Sequence, residues 1–174
     1  MPEVKVSGKF VQGFANSAGD VSPVFEQKLR KFLAEHGIDE VKPDNWYPFD
    51  NFARAVTDVE DAVGTMTAVV GGRTMVSLIG RLDGTQSLAE TMEIAKEANR
   101  NAYQNFTVDA AGHYSYEETD DGARIATVGG WQHPQQFTKG IIEGFVENAT
   151  DYEMDDLKER RSQSDEVYAF SVPR

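Results

Sequence analysis

Residues 107–131, TVDAAGHYSYEETDDGARIATVGGW, decide the fold. From residue 107 side-chain character alternates with a period of two, and Asp120-Asp121-Gly122 separates TVDAAGHYSYEET from ARIATVGGW. Two alternating runs joined by such a turn predict a β-hairpin. Pro134 then opens a helical stretch, after which YEMDDLKER (152–160) and DEVYAFSV (165–172) predict a second hairpin. Residues 107–174 therefore read ββαββ.

Upstream the period is helical. GKFVQGFANSAG places Phe10 and Phe14 one turn apart, and SPVFEQKLRKFLAEHG offers Ser22 as N-cap, Pro23 at the first helical position and Gly37 after the end. Phe25, Leu29, Phe32, Leu33 and His36 share one face of that second helix, His36 packing there or meeting the helix end. KPDNWYPFDNF (42–52) is a proline-punctuated, aromatic connection, and FDNFARAVTDVEDAVG (49–64) is a helix that Gly64 can close. TMTAVVGGRTMVSLIGRLDG (65–84) suits a short helix broken near Gly71-Gly72, with a β-branched hairpin as the alternative. SLAETMEIAKEANRNAYQNF (87–106) is the clearest helix: Ser87 and Glu90 form a capping box, and Leu88, Met92, Ala95, Ala102, Tyr103 and Phe106 project to one side. The whole reads as one α+β domain over 1–174. Its mainly helical part (1–106) packs on a C-terminal antiparallel four-stranded sheet of ββαββ order (107–174).

A chain of 174 residues, 40% of them hydrophobic, can supply one core of ordinary size. With no cysteine, disulfides, thiolate zinc sites and a cysteine nucleophile are excluded. No basic-then-apolar leader and no stretch long enough to span a bilayer appears, so a cytoplasmic location is expected and Asn-x-Thr at Asn105 and Asn148 means little. A net charge of −12 argues against nucleic acid and anionic membranes as partners and suits a heavily solvated, acidic surface such as a salt-rich cytoplasm favours.

The helix after Pro134 buries one broad face, on which Phe137, Gly140, Ile141, Gly144 and Phe145 fall together. Glycine inside a helix costs about 1 kcal/mol against alanine, so Gly140 and Gly144 require a close neighbour, either another element or a ligand. His133, just before the positive end of that helix, is expected to stay neutral.

Several stretches together resemble a known family: FVQGFANS (10–17), WYPFDNFARAV (46–56), SLIGRL (77–82), and the closing GGWQHPQQFTKGIIEGFVENA (129–149) with EVYAFSV (166–172). They resemble the ligand-binding fold shared by 4-vinyl-reductase-type domains, heme-NO-binding domains and a set of myxobacterial proteins of unknown function. The resemblance implies helices packed on a ββαββ sheet around an apolar pocket. For heme-binding members it implies a proximal histidine on the long helix before the sheet and a Tyr-x-Ser-x-Arg motif for the propionates. The helix from 87 to 105 has no histidine, and YSYEE (114–118) keeps Tyr114 without the serine or the arginine. His36 and His133 remain conceivable axial ligands. Zinc-binding members use cysteines near the last hairpin, where LKERRSQSDEVYAF (157–170) has none, so structural zinc is not expected.

The expected pocket lining comes from Trp46 and Tyr47 in the connection, Tyr103 and Phe106 ending the long helix, and Trp131 and His133 after the second strand. Asn99, in the apolar arc of its helix, needs hydrogen-bond partners and could meet a ligand or tie down a loop carbonyl; Asn148 poses the same choice. GGRT (71–74) reads either as a backbone anion nest or as a helix break. Glu117-Glu118 and Asp155-Asp156 read as solvated acid. The chain is accordingly expected to be a non-catalytic small-molecule-binding or sensory domain without a cofactor, taking an apolar or aromatic molecule and signalling through a homodimer or partner protein. Alternatives are a dimerisation or scaffold module whose pocket is filled, and a heme-binding gas sensor. A reductase would have to draw its proton from Tyr103, Tyr114 or His133.

Overall fold

The computed structural model describes residues 2–174. Its first half comprises β1 (Lys5–Ser7), α1 (Gly8–Val21), α2 (Pro23–Glu35), β2 (Trp46–Pro48), α3 (Phe49–Val63), α4 (Thr65–Met75) and α5 (Leu88–Asn101). Then come β3 (Tyr103–Gln104), α6 (Val108–Ala111), β4 (His113–Thr119), β5 (Gly122–Val128), α7 (Gln135–Asn148), β6 (Lys158–Arg160) and β7 (Glu166–Pro173).

Local chemistry sets the helix ends. The Val24 backbone N–H donates to the Ser22 hydroxyl with Pro23 at the first turn, and the Ser87–Glu90 capping box forms as expected. Gly64, at φ 86°, ends α3 and starts α4. Pro134 gives α7 no side-chain cap; instead the Phe137 backbone N–H donates to Glu60 Oε1 of α3 at 2.9 Å.

The helical layer meets α7 through aromatic rings. Phe137 lies 5.4 Å from Phe14 of α1 and 5.8 Å from Phe25 of α2, and Phe14 packs edge-on against Phe52 of α3 at 5.7 Å. All four side chains are buried, which joins α1, α2, α3 and α7 in one core.

The C-terminal half forms the expected antiparallel four-stranded sheet, in the order β4-β5-β7-β6, with Thr119 opposite Gly122 across the two-residue turn Asp120-Asp121. Residues 107–112 are not strand: Thr107 caps the single turn of α6. The structure adds a second, three-stranded sheet, β2-β1-β3, with Val6 opposite both Tyr47 and Tyr103. It makes the aromatic connection partly a strand and ends the long helix at Asn101 rather than 105. The segment 65–84 is neither hairpin nor broken helix: α4 runs through Gly71-Gly72, because α7 covers those glycines, and only after Met75 tightens into a 3-10 turn at Val76–Leu78. GGRT thus lies inside a helix and forms no anion nest.

Candidate functional site

A cavity of about 260 Å³ lies where the end of α4, α5, α7, β4 and the residues after β5 converge. On α5 the residues turned to it are Ala95, Ala98, Asn99 and Ala102, at helical spacing of three and four. Three methyl side chains in a row leave room that longer ones would fill. Opposite stand Ile141 and Phe145, one turn apart on α7, and the run from Met75 to Ile79 closes another side.

The aromatic wall is continuous. Tyr114, second residue of β4, lies 5.0 Å from Trp131 and 5.2 Å from Phe145 by ring centroid, and Trp131 lies 5.1 Å from His133. The Trp131 indole N–H donates to Thr138 Oγ1 at 3.0 Å, which ties the ring to the first turn of α7. His133 Nε2 meets the Tyr103 hydroxyl at 3.3 Å, and Phe49 and Phe52 stand edge-on to the same imidazole.

Burial keeps these groups uncharged. It lowers His133 to about 4 and pushes the phenols of Tyr103 and Tyr114 well above their ordinary range. His133 is thus neutral as expected, but for a different reason: desolvation within the core, not the end of α7. At neutral pH none of the three is matched to proton transfer.

Asn99 does both things that a buried amide can do here. Its Nδ2 donates to the Gly112 carbonyl at 3.2 Å and lies 3.0 Å from His113 Nδ1, while the residue lines the cavity. His113 is held below its ordinary pKa first by burial and then by Arg100 and Lys96. A neutral ring that accepts at Nδ1 carries its proton on Nε2. Asn148 donates back to the Gly144 carbonyl of its own helix at 2.9 Å.

Of the residues expected at the pocket, the structure brings Asn99, Tyr103, Trp131 and His133 together in the lining. Trp46, Tyr47 and Phe106 are elsewhere. Trp46 is 38% exposed in β2, and the Tyr47 hydroxyl donates to the Glu40 carbonyl and accepts from the Lys42 backbone N–H, which turns it toward the 40–42 loop. Phe106 stacks behind Tyr103 at 6.0 Å. His36 caps α2 and sits 2.6 Å from Asp58 Oδ2, outside the lining. Residues not singled out from the sequence as lining include Lys9, Ala98, Tyr114 and Phe145; the alanine spacing on α5 around Asn99 was the one signal available.

No protein-family model matches the chain, and no curated protein does. Solved structures do. One, from work on heme redox potential and protein-induced porphyrin distortion, matches with a TM-score of 0.67 and 12% identity over 97% of this chain and 99% of that one. Another, from work on heme distortion in the H-NOX family, gives 0.65 and 13% over 96% and 94%. An oxygen-binding H-NOX domain related to soluble guanylate cyclases, as its oxygen complex, gives 0.60 and 12% over 95% and 92%. At such identities the likeness is one of fold: the chain has an H-NOX-like α+β fold.

Proposed function

We propose that this chain is a small-molecule-binding sensor module without catalytic chemistry of its own, its ligand held in the cavity between α5, α7 and β4. The observation that carries this reading is the concave wall of Tyr103, Tyr114, Trp131 and Phe145 facing the alanine stripe of α5. Concave, mostly apolar sites with few polar groups are what small ligands occupy. The fold neighbours support a sensing role, since all three are described through their heme or, in one case, an oxygen complex. The kinship to 4-vinyl-reductase-type domains rests on the sequence resemblance alone.

Those neighbours support the heme-based gas sensor more directly than a heme-free ligand. The residues present do not fit heme. The α5 face carries alanines and an asparagine where an imidazole would be needed, and His133, the lone imidazole in the lining, has Nε2 engaged with Tyr103. Lys9 is the only cation in the lining for a group that bears two propionates, Tyr114 is followed by Tyr116 and Glu118 rather than by an anion-binding pair, and the volume is below the roughly 300–1,000 Å³ of drug- and cofactor-sized sites.

Titration with hemin, read by the Soret band, and native mass spectrometry of the protein as purified separate the readings. Co-purification of a small apolar compound without a stoichiometric Soret band supports the proposal. A stoichiometric, saturable Soret shift that Ala98→Leu abolishes establishes heme instead, and a protein that takes up neither is a scaffold.

A further inference from the structure

Lys9 is the only charged residue among those that line the cavity. The chain carries 29 acidic and 17 basic residues, yet no carboxylate reaches this wall. Lys9 is exposed, as are Asn101 and Leu78, which is 41% exposed, so these three mark the side on which the cavity meets solvent. Lys9 forms no ion pair among the described residues, whereas Arg81 nearby in sequence to the same wall pairs with Glu97. Ser7, Asn99 and Asn101 add neutral hydrogen-bonding groups to the lining.

Inward of Lys9 the lining holds no charged group. Its polar groups are all neutral: the Tyr103 hydroxyl and the His133 ring are bonded to each other, and the Tyr114 phenol, like both of them, is kept uncharged by burial. An ion carried inward would lose its hydration without meeting an opposite charge. A ligand with a charge must therefore leave it at the mouth, beside Lys9, with its apolar part among Ile141, Phe145 and Trp131.

We propose that the cavity selects an amphipathic monocarboxylate, its carboxylate at Lys9 and its hydrocarbon or aryl body inside. This inference rests on the sensor-module reading of the same cavity. One cation at the rim matches one carboxylate, and a neutral or cationic molecule of the same body forgoes that pairing.

Octanoate, 1-octanol and octylamine share one apolar body and differ in the head group. Isothermal calorimetry on the full chain is expected to rank octanoate first, about fivefold tighter than octanol, with octylamine weakest, which is the scale of one partly exposed ion pair. Lys9→Gln should remove that advantage and leave octanol unchanged, and Lys9→Glu should invert the order of octanoate and octylamine. If all three bind equally and the Lys9 variants change nothing, the carboxylate assignment is overturned while the cavity reading stands. If none binds and Ala98→Leu makes no difference, the cavity reading fails and this inference with it.

Discussion

Gly72 of α4 and Gly140 of α7 lie where the two helices touch backbone to backbone. A Cβ at Gly72 would stand 2.2 Å from the Phe137 carbonyl oxygen, and one at Gly140 would stand 2.0 Å from that of Val69. Neither neighbour is a side chain that can swing away. Two mid-helix glycines, each costing about 1 kcal/mol in helix propensity, are offset by the close packing they allow.

Gly140→Ala and Gly72→Ala should each destabilise the protein by about 1–3 kcal/mol, because the helices must part to admit a methyl group. Urea unfolding should show a lower midpoint at an unchanged slope. Gly80, whose Cβ would meet nothing within 4 Å, serves as control, with Gly80→Ala within about 0.5 kcal/mol of the parent. Equal losses at all three positions would show that the helix crossing is not the cause.

The same crossing shows which parts of the fold the sequence discloses. Gly140 and Gly144 announced a close neighbour by their cost in a helix, but not that α4 would be it, because Gly71-Gly72 in isolation read as a break. The caps at Ser22 and Ser87 are local signals and carry through, and the period-two runs read over 107–119 and 123–131 carry through except at their outer ends, where 108–111 forms a helical turn and the strand stops at Val128. The sheet formed by residues 5–7, 46–48 and 103–104 has strands of two or three residues, shorter than any alternation can reveal. That sheet turns Trp46 and Tyr47 away from the cavity. Ala95, Ala98 and Ala102 matter because of what they leave empty, and an emptiness is legible only after the neighbouring elements are placed.

Glu60 is the acceptor that α7 does not find in its own sequence. Burial raises its pKa, against backbone hydrogen bonds from Phe137 and Gln136 that favour the charged form, and Asp61 adds to the rise. A carboxyl whose pKa is higher in the folded state contributes most at pH below the ordinary value of 4.5, and that contribution is lost as pH rises through the folded value. Glu60→Ala should cost about 1 kcal/mol by removing the acceptor at the helix start. Glu60→Gln keeps an acceptor oxygen without a desolvated charge and should stay within about 0.5 kcal/mol at pH 7. Thermal melts of both variants, compared at pH 4 and pH 7, test this, and equal losses would put the charge rather than the acceptor at the centre of the contact.

His133 makes the fold sensitive to acid. In the unfolded chain an imidazole titrates near 6.5, and in the folded protein burial lowers it to about 4. Between these values the unfolded state binds the extra proton, so stability falls as pH drops through that window. The full difference is about 3 kcal/mol. His113, also lowered, adds in the same direction. Urea midpoints measured from pH 7 to pH 4 should decline, and His133→Gln, which can still bond Tyr103, should flatten the decline. An unaltered slope in that variant would assign the acid sensitivity to other groups.

Ala98 separates what stabilises the fold from what would serve binding. It lines a void of about 260 Å³ between α5 and α7, where the wall atoms lack contacts that a filled interior would give them. Ala98→Leu projects a branched side chain into that void from a rigid helix and keeps helix propensity nearly unchanged. Cavity filling commonly stabilises by about 0.5–2 kcal/mol, so the urea midpoint should rise. Uptake of 1-octanol, measured calorimetrically, should fall, because the added carbons occupy the space that the guest needs. The opposite signs are the point: a site shaped only by packing would gain stability and have no uptake to lose. A variant that is destabilised and still takes up octanol as the parent does would place the guest elsewhere in the molecule.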